Sequence, residues 1–180
     1  MKVVAIVGMA GAGKSEVARV FERSGFEKVR FGDITEGHIK RKGLELNEEN
    51  ERLVREGLRR EHGMAAYAML NLSRIESALK RSDVVVDGLY SWEEYTLLKR
   101  RYGDRFNTVA VWASHGTRHR RLWERVERPL TAEEAASRDK AEIENSSKGG
   151  PIAMADFTIV NEASLEELQT ETERVISALR

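Results

Sequence analysis

Lys2-Val-Val-Ala-Ile-Val7-Gly8-Met-Ala-Gly11-Ala12-Gly13-Lys14-Ser15 is an apolar run that passes directly into a glycine-rich turn. A short, nearly all-apolar run reads as a strand buried on both faces, as in a parallel sheet. Gly8 to Ser15 fits G-x-x-x-x-G-K-[ST]. Gly8, Gly11 and Gly13 can take backbone angles closed to other residues, so successive N–H groups can point into one concavity that holds phosphate oxygens. A helix beginning at Lys14 adds its positive dipole end. Lys14 then reaches the β- and γ-phosphates as a point charge, and Ser15 offers a hydroxyl to Mg²⁺. The plainer alternative is a glycine turn between a strand and a helix. The helical spacing of Val17, Val20 and Phe21, with a stop at Gly25, supplies the context that a phosphate loop needs.

Working outward, residues 29–31 read as a weak second strand ending at Gly32-Asp33. Residues 83–87, 108–113 and 157–160 read as three further strands. Amphipathic or polar helical patterns cover 47–60, 64–80, 92–102, 117–127, 132–145 and 165–179. Strands separated by helices imply βαβ units with right-handed crossovers. The expected fold is therefore α/β: a three-layer P-loop NTPase fold with a five-stranded parallel sheet and helices on both faces. Ligands in such sheets collect beyond the carboxyl ends of the strands. The residues that follow the strands are Gly8, Asp33, Asp87 and Ser114.

A length of 180 residues suits one compact domain. Thirty Lys and Arg balance thirty Asp and Glu, so the molecule as a whole is no strong attractant for nucleic acid or membrane. The absence of cysteine excludes disulfides and thiolate chemistry. The apolar runs fall far short of the roughly 20 residues that cross a bilayer. No charged region and apolar stretch precede the first strand, so a cytoplasmic protein is expected.

The loop alone does not give the reaction. A GTPase would carry N-K-x-D, but Asn161 is followed by Glu162. A large motor ATPase needs a longer chain. A small-molecule kinase is what remains at this length. Arg118, Arg120, Arg121, Arg125 and Arg128 crowd one stretch, and helical spacing puts Arg118, Arg121 and Arg125 on one face. Phosphoryl transfer spreads negative charge over the migrating group. Arginines that close over it supply compensating charge and exclude water. The stretch therefore reads as a catalytic lid, or else as a solvated face paired with Glu124 and Glu127. Asp87 ends an apolar strand and is, with Ser15, the candidate Mg²⁺ ligand, since a buried carboxylate needs a partner. Asp33 is the candidate for orienting or deprotonating the acceptor, or a helix-capping aspartate. His115 and His119 lie one helical turn apart among arginines and lack a further ligand, which disfavours a metal site. Trp92, Trp112 and Trp123 read as packing residues.

Further residues carry a resemblance. They are Val7-Gly8 through Glu16, Gly32-Asp33, Leu58-Arg59-Arg-Glu61-His-Gly63, Asp87-Gly88, Ala113-Ser114, Arg138-Asp139, and Ile152 through Asp156 leading to Asn161. In that order they resemble the archaeal dephospho-CoA-kinase-related or adenylate-kinase-related P-loop family, over nearly the full length. The resemblance implies a fold similar to nucleoside monophosphate kinases. Its core would be 1–34, 81–115 and 152–180, with an acceptor-binding helical insert at about 35–80 and a small lid at about 116–150. It implies ATP and Mg²⁺, with nucleotide contacts at Gly8, Gly11, Ala12, Gly13, Lys14, Ser15 and Glu16. Asn161 would lie near the adenine, or be a turn residue. Acceptor contacts would fall on Asp33, Arg59, Asp87 and Gly88. Two places depart from the family: Glu36 and Tyr90 stand where it carries acceptor-gripping arginines, and Lys40, Arg41, Arg55 and Arg59 are the basic residues available instead. The expected function is ATP-dependent phosphoryl transfer to a nucleotide-like small molecule. The rival is a non-catalytic ATP-binding module. An ATPase acting on nucleic acid is disfavoured by the neutral charge.

Overall fold

A computed structural model describes residues 1–126 and 129–180. Its elements are β1 (Val3–Val7), α1 (Lys14–Arg23), β2 (Glu27–Arg30), α2 (Asp33–Arg41), α3 (Glu48–His62), α4 (Ala66–Ala78), β3 (Val84–Asp87), α5 (Trp92–Tyr102), β4 (Phe106–Trp112), α6 (His115–Trp123), α7 (Ala132–Glu144), α8 (Gly149–Ala153), β5 (Phe157–Val160) and α9 (Leu165–Leu179). The five strands form one parallel sheet in the order β2-β3-β1-β4-β5. Ala5 in the central strand stands opposite Val86 on one side and Thr108 on the other.

Successive side chains of a strand point to opposite faces, and β1 uses both. Val3, Ala5 and Val7 join Tyr67 and Ile75 of α4 and Leu98 of α5 in one core. Val4 and Ile6 join Val17 and Phe21 of α1 and Leu168 and Ile176 of α9 in the other. The three-layer α/β architecture follows from that division. Among the described residues no helix is long and apolar enough to cross a membrane.

Several details differ from expectation. α2 follows β2 directly, where Gly32-Asp33 read as a strand end; burial of Thr35 and Ile39 carries it. The five-residue α8 was also unexpected. α4 lies in the 35–80 segment read as an insert, yet Ala66, Tyr67, Ala68 and Ile75 are fully buried in the core under the sheet. α6 ends at Trp123, short of residue 127, so Arg125 lies beyond the helix and cannot share a helical face with Arg118 and Arg121. Glu127 and Arg128 lie outside the described residues. Trp92 is packed as expected, stacked on Tyr95 at 5.2 Å between ring centroids, whereas Trp112 and Trp123 are 48% and 65% exposed.

Candidate active site

The loop after β1 turns through three residues with positive φ, Gly8 (144°), Gly11 (79°) and Gly13 (104°). A Cβ on Gly8 would run into the Val111 carbonyl oxygen, and one on Gly13 into the Asn161 side-chain amide. The loop is therefore seated tightly between β4 and the segment after β5. α1 begins at Lys14 with Gly13 as its N-cap and has no side-chain cap, which leaves its first amides to an anion. Lys14 Nζ donates to the Met9 carbonyl at 2.9 Å. Burial, with the neighbouring charge of Lys148, pushes the Lys14 ammonium down to about 7. Ser15 is exposed at the start of the helix.

Asp87 closes β3 and stands in register between Ile6 and Arg30. It is 8% exposed, and burial pushes its carboxyl up, opposed by the charge of Lys14. Among the described residues no hydrogen bond reaches its carboxylate. The Ser15 hydroxyl and the Asp87 carboxylate line one cleft and are oxygen donors of the kind Mg²⁺ takes, so the donor set fits that ion.

That cleft, of about 940 Å³, lies beyond the carboxyl ends of the strands. Gly11, Lys14, Ser15, Asp87 and Gly88 line its floor; Arg55 and Arg59 of α3 line one wall; Arg138 and Glu142 of α7, with Lys148, line another. Arg125 also lines it. Of the expected residues, the structure thus brings together the loop, Arg59, Asp87, Gly88 and Arg125.

Others are engaged elsewhere. Arg118 is buried, meets both oxygens of Asp139 at 2.8 Å and donates to the Ala10 carbonyl at 2.9 Å. It is a buttress behind the loop rather than a lid arginine facing phosphate, because its guanidinium is taken up by Asp139 of α7 and the Ala10 carbonyl. Arg121 donates to Asn161 Oδ1 at 3.4 Å, and Asn161 Nδ2 donates to the Ala12 carbonyl at 2.8 Å, so both brace the loop. Asp33 lies in the first turn of α2, paired with Arg74 at 2.8 Å and Arg30 at 3.3 Å. Glu16 pairs with Arg19 at 2.6 Å on exposed surface. His119 contacts Asp139 at 3.0 Å. Asp139 thus adds a third potential ligand atom near His115 and His119, but both of its oxygens are already held by Arg118.

The two departures from the family pattern each sit against a cation from elsewhere in the chain. Glu36 pairs with Arg30 of β2 at 2.7 Å. The Tyr90 ring lies over Gly88, and Lys148 Nζ is 5.3 Å from its centroid. Arg30, Arg138, Glu142 and Lys148 were not singled out as site residues. Arg138 stood in the ordered motif set; the other three had no local signal, since only the fold brings them to the cleft.

A family model described as an AAA domain matches residues 4–145. The chain is 35% identical to a UPF0200 protein of Thermococcus kodakarensis, covering 98% of this chain and 97% of that one. It is 38% identical to a UPF0200 protein of Aeropyrum pernix, covering 96% and 90%. Among solved structures it is similar to TT1252 from Thermus thermophilus, at 22% identity and TM-score 0.65 over 99% and 98% of the two chains. A shikimate kinase from Bacteroides thetaiotaomicron aligns at 14% identity and TM-score 0.63 over 99% and 98%. The dephospho-CoA kinase from Campylobacter jejuni aligns at 13% identity and TM-score 0.57 over 99% and 97%. At these identities the structural likeness establishes a P-loop kinase-like fold.

Proposed function

We propose, for a chain that belongs to the AAA-domain family and to the UPF0200 family, ATP-dependent phosphoryl transfer to a nucleotide-like small molecule. The observation that carries this reading is one cleft that has the phosphate loop, Lys14, Ser15 and Asp87 on its floor and Arg55, Arg59, Arg138 and Lys148 on its walls. Such an arrangement suits a donor phosphate chain below and a second anionic ligand opposite it.

In this reading the loop amides and Lys14 hold the β- and γ-phosphates, and Ser15 and Asp87 hold Mg²⁺, which supplies neutralising charge to phosphate oxygens. Arg59 and Arg55 face the acceptor. Arg138 and Arg125 supply the charge around the migrating group that sequence reasoning assigned to Arg118 and Arg121. α2 and α3 form the acceptor insert and α6 to α7 the lid, with the remainder as core. Asp33 enters as the partner that holds Arg30 and Arg74. For it to orient an acceptor hydroxyl, it would first have to leave Arg74.

The test is ADP release across nucleoside monophosphates, deoxynucleotides and dephospho-CoA. One acceptor should drive turnover, and Lys14→Ala should lower the rate about 100-fold or more. The retained pairing of Asp33 favours a second reading, ATP binding that sets conformation without transfer. ATP bound with no acceptor-dependent ADP anywhere in the panel selects that reading.

A further inference from the structure

The phosphate loop already holds an anion. The Ala10 N–H donates to Glu142 Oε2 at 3.1 Å, although the two residues are 132 positions apart. Glu142 Oε2 also lies 3.0 Å from Lys148 Nζ. Lys148 is 1% exposed, a cation enclosed in the wall of the cleft. One amide and one ammonium on one oxygen are the partners that a phosphate oxygen takes in such a loop. Lys14, meanwhile, is turned back onto the Met9 carbonyl at 2.9 Å. Arg138, one turn before Glu142 on α7, is tied to Glu48 of α3 at 2.8 Å. The carboxylate thus latches α7 across the mouth of the loop.

We propose that Glu142 is a resident anion of the phosphate loop, that a nucleotide phosphate displaces it from Ala10, and that the phosphate takes over Lys148 as a second lysine ligand. The proposal rests on the phosphate-loop reading above and adds a regulation to it. Two anions cannot share one amide and one ammonium at contact distance without strong repulsion. Despite burial, the charges of Lys148 and Lys14 hold the Glu142 carboxyl down at about 2, so protonation does not relieve that repulsion near neutral pH. Entry of phosphate therefore drives the Glu142 end of α7 off the loop. The free energy of breaking the latch is subtracted from nucleotide affinity.

The experiment is calorimetric titration of ATP–Mg²⁺ into the intact wild-type protein, Glu142→Gln, Glu142→Asp and the double variant Glu142→Gln/Lys148→Met. Glu142→Gln removes the competing charge and should tighten binding about tenfold. Glu142→Asp keeps a charge beside Lys148 but is one methylene too short for the Ala10 amide; it should tighten binding severalfold. Should the glutamine variant not fold, the aspartate variant decides alone. Adding Lys148→Met to Glu142→Gln should lose about tenfold again, as Lys148 then has only phosphate to bind. Wild-type binding with both Glu142 variants equal to it or weaker overturns the proposal and leaves the phosphate-loop reading intact. So does tightening in Glu142→Gln alone, which would reflect the general field rather than an occupied seat. Binding by none of the proteins overturns both.

Discussion

The guanidinium of Arg118 is clasped by both oxygens of Asp139 at 2.8 Å, with the two side chains 8% and 11% exposed. A buried pair of this kind contributes little net stability against an apolar pair of the same shape. Removing one partner, however, strands a charge at a cost of about 3–5 kcal/mol. Asp139→Ala should therefore lower the urea-derived stability by about that amount, and Arg118→Met combined with Asp139→Leu should recover most of it. Despite burial, hydrogen bonds from Arg118 and His119 hold the Asp139 carboxyl below its usual range. Its contribution is thus present above the unfolded carboxyl value and is lost as pH falls through the folded one. The Asp139→Ala deficit should accordingly shrink in acid; a deficit constant from pH 7 to pH 3 would contradict the pairing. Single residues were legible where their partners are local. Lys14 and Ser15 act within one turn of chain, and the motif displays them. Arg118 meets a residue 21 positions on, and Glu142 an amide 132 positions back. No spacing rule reaches those contacts.

Two helices with a capping serine show how a local signal sets an element boundary. Ser91 accepts from Glu94 N at the start of α5 and Ser164 from Glu167 N at the start of α9, and both helices fall at their expected limits. α2 has Gly32 as N-cap with no side-chain bond, so nothing in the sequence announced it. The early end of α6 has a tertiary cause: Leu130 N donates to the Leu122 carbonyl at 3.1 Å, turning the chain back. That turn lets Leu122, Leu130 and Ala135 pack with Ala10 in a small core of their own. α7 is thereby joined to the loop by a few contacts and opened by a capping box, Thr131 with Glu134. Thr131→Ala should cost α7 about 1 kcal/mol, which corresponds to roughly fivefold faster hydrogen exchange across its amides. The amides of β1 should keep their protection. Equal acceleration in β1 would show that α7 opens only with the whole fold, and a separately moving lid would then be ruled out.

At the scale of the molecule, the two cores are sealed by β1 and its neighbours, and one titratable group sits inside the larger face. Glu94 is 0% exposed in the first turn of α5. Its Oε2 accepts the Tyr90 N–H at 2.8 Å, while its Oε1 has no hydrogen-bond partner among the described residues. The neighbouring Ser91 hydroxyl donates to the Met64 carbonyl just before α4, so Glu94 lies where α4, α5 and the segment after β3 meet. Burial pushes its carboxyl up to about 7, with the Tyr90 amide and the charge of Arg59 opposing. The folded protein therefore holds this proton more tightly than the unfolded chain, whose glutamates titrate near 4.3. Between those values the native state carries the extra proton, so stability falls as pH rises. The favourable contribution is complete below the unfolded value and is lost as pH climbs through about 7, a change of roughly 3–4 kcal/mol. Glu94→Gln keeps the shape and the acceptor for Tyr90 N–H but cannot ionise. Its stability relative to wild type, from urea unfolding between pH 5 and pH 8, should rise steadily with pH and level off above about 7. A difference that stays flat across that range would mean that Glu94 is already ionised in the folded protein, stabilised by a partner near Oε1 such as the Arg59 side chain.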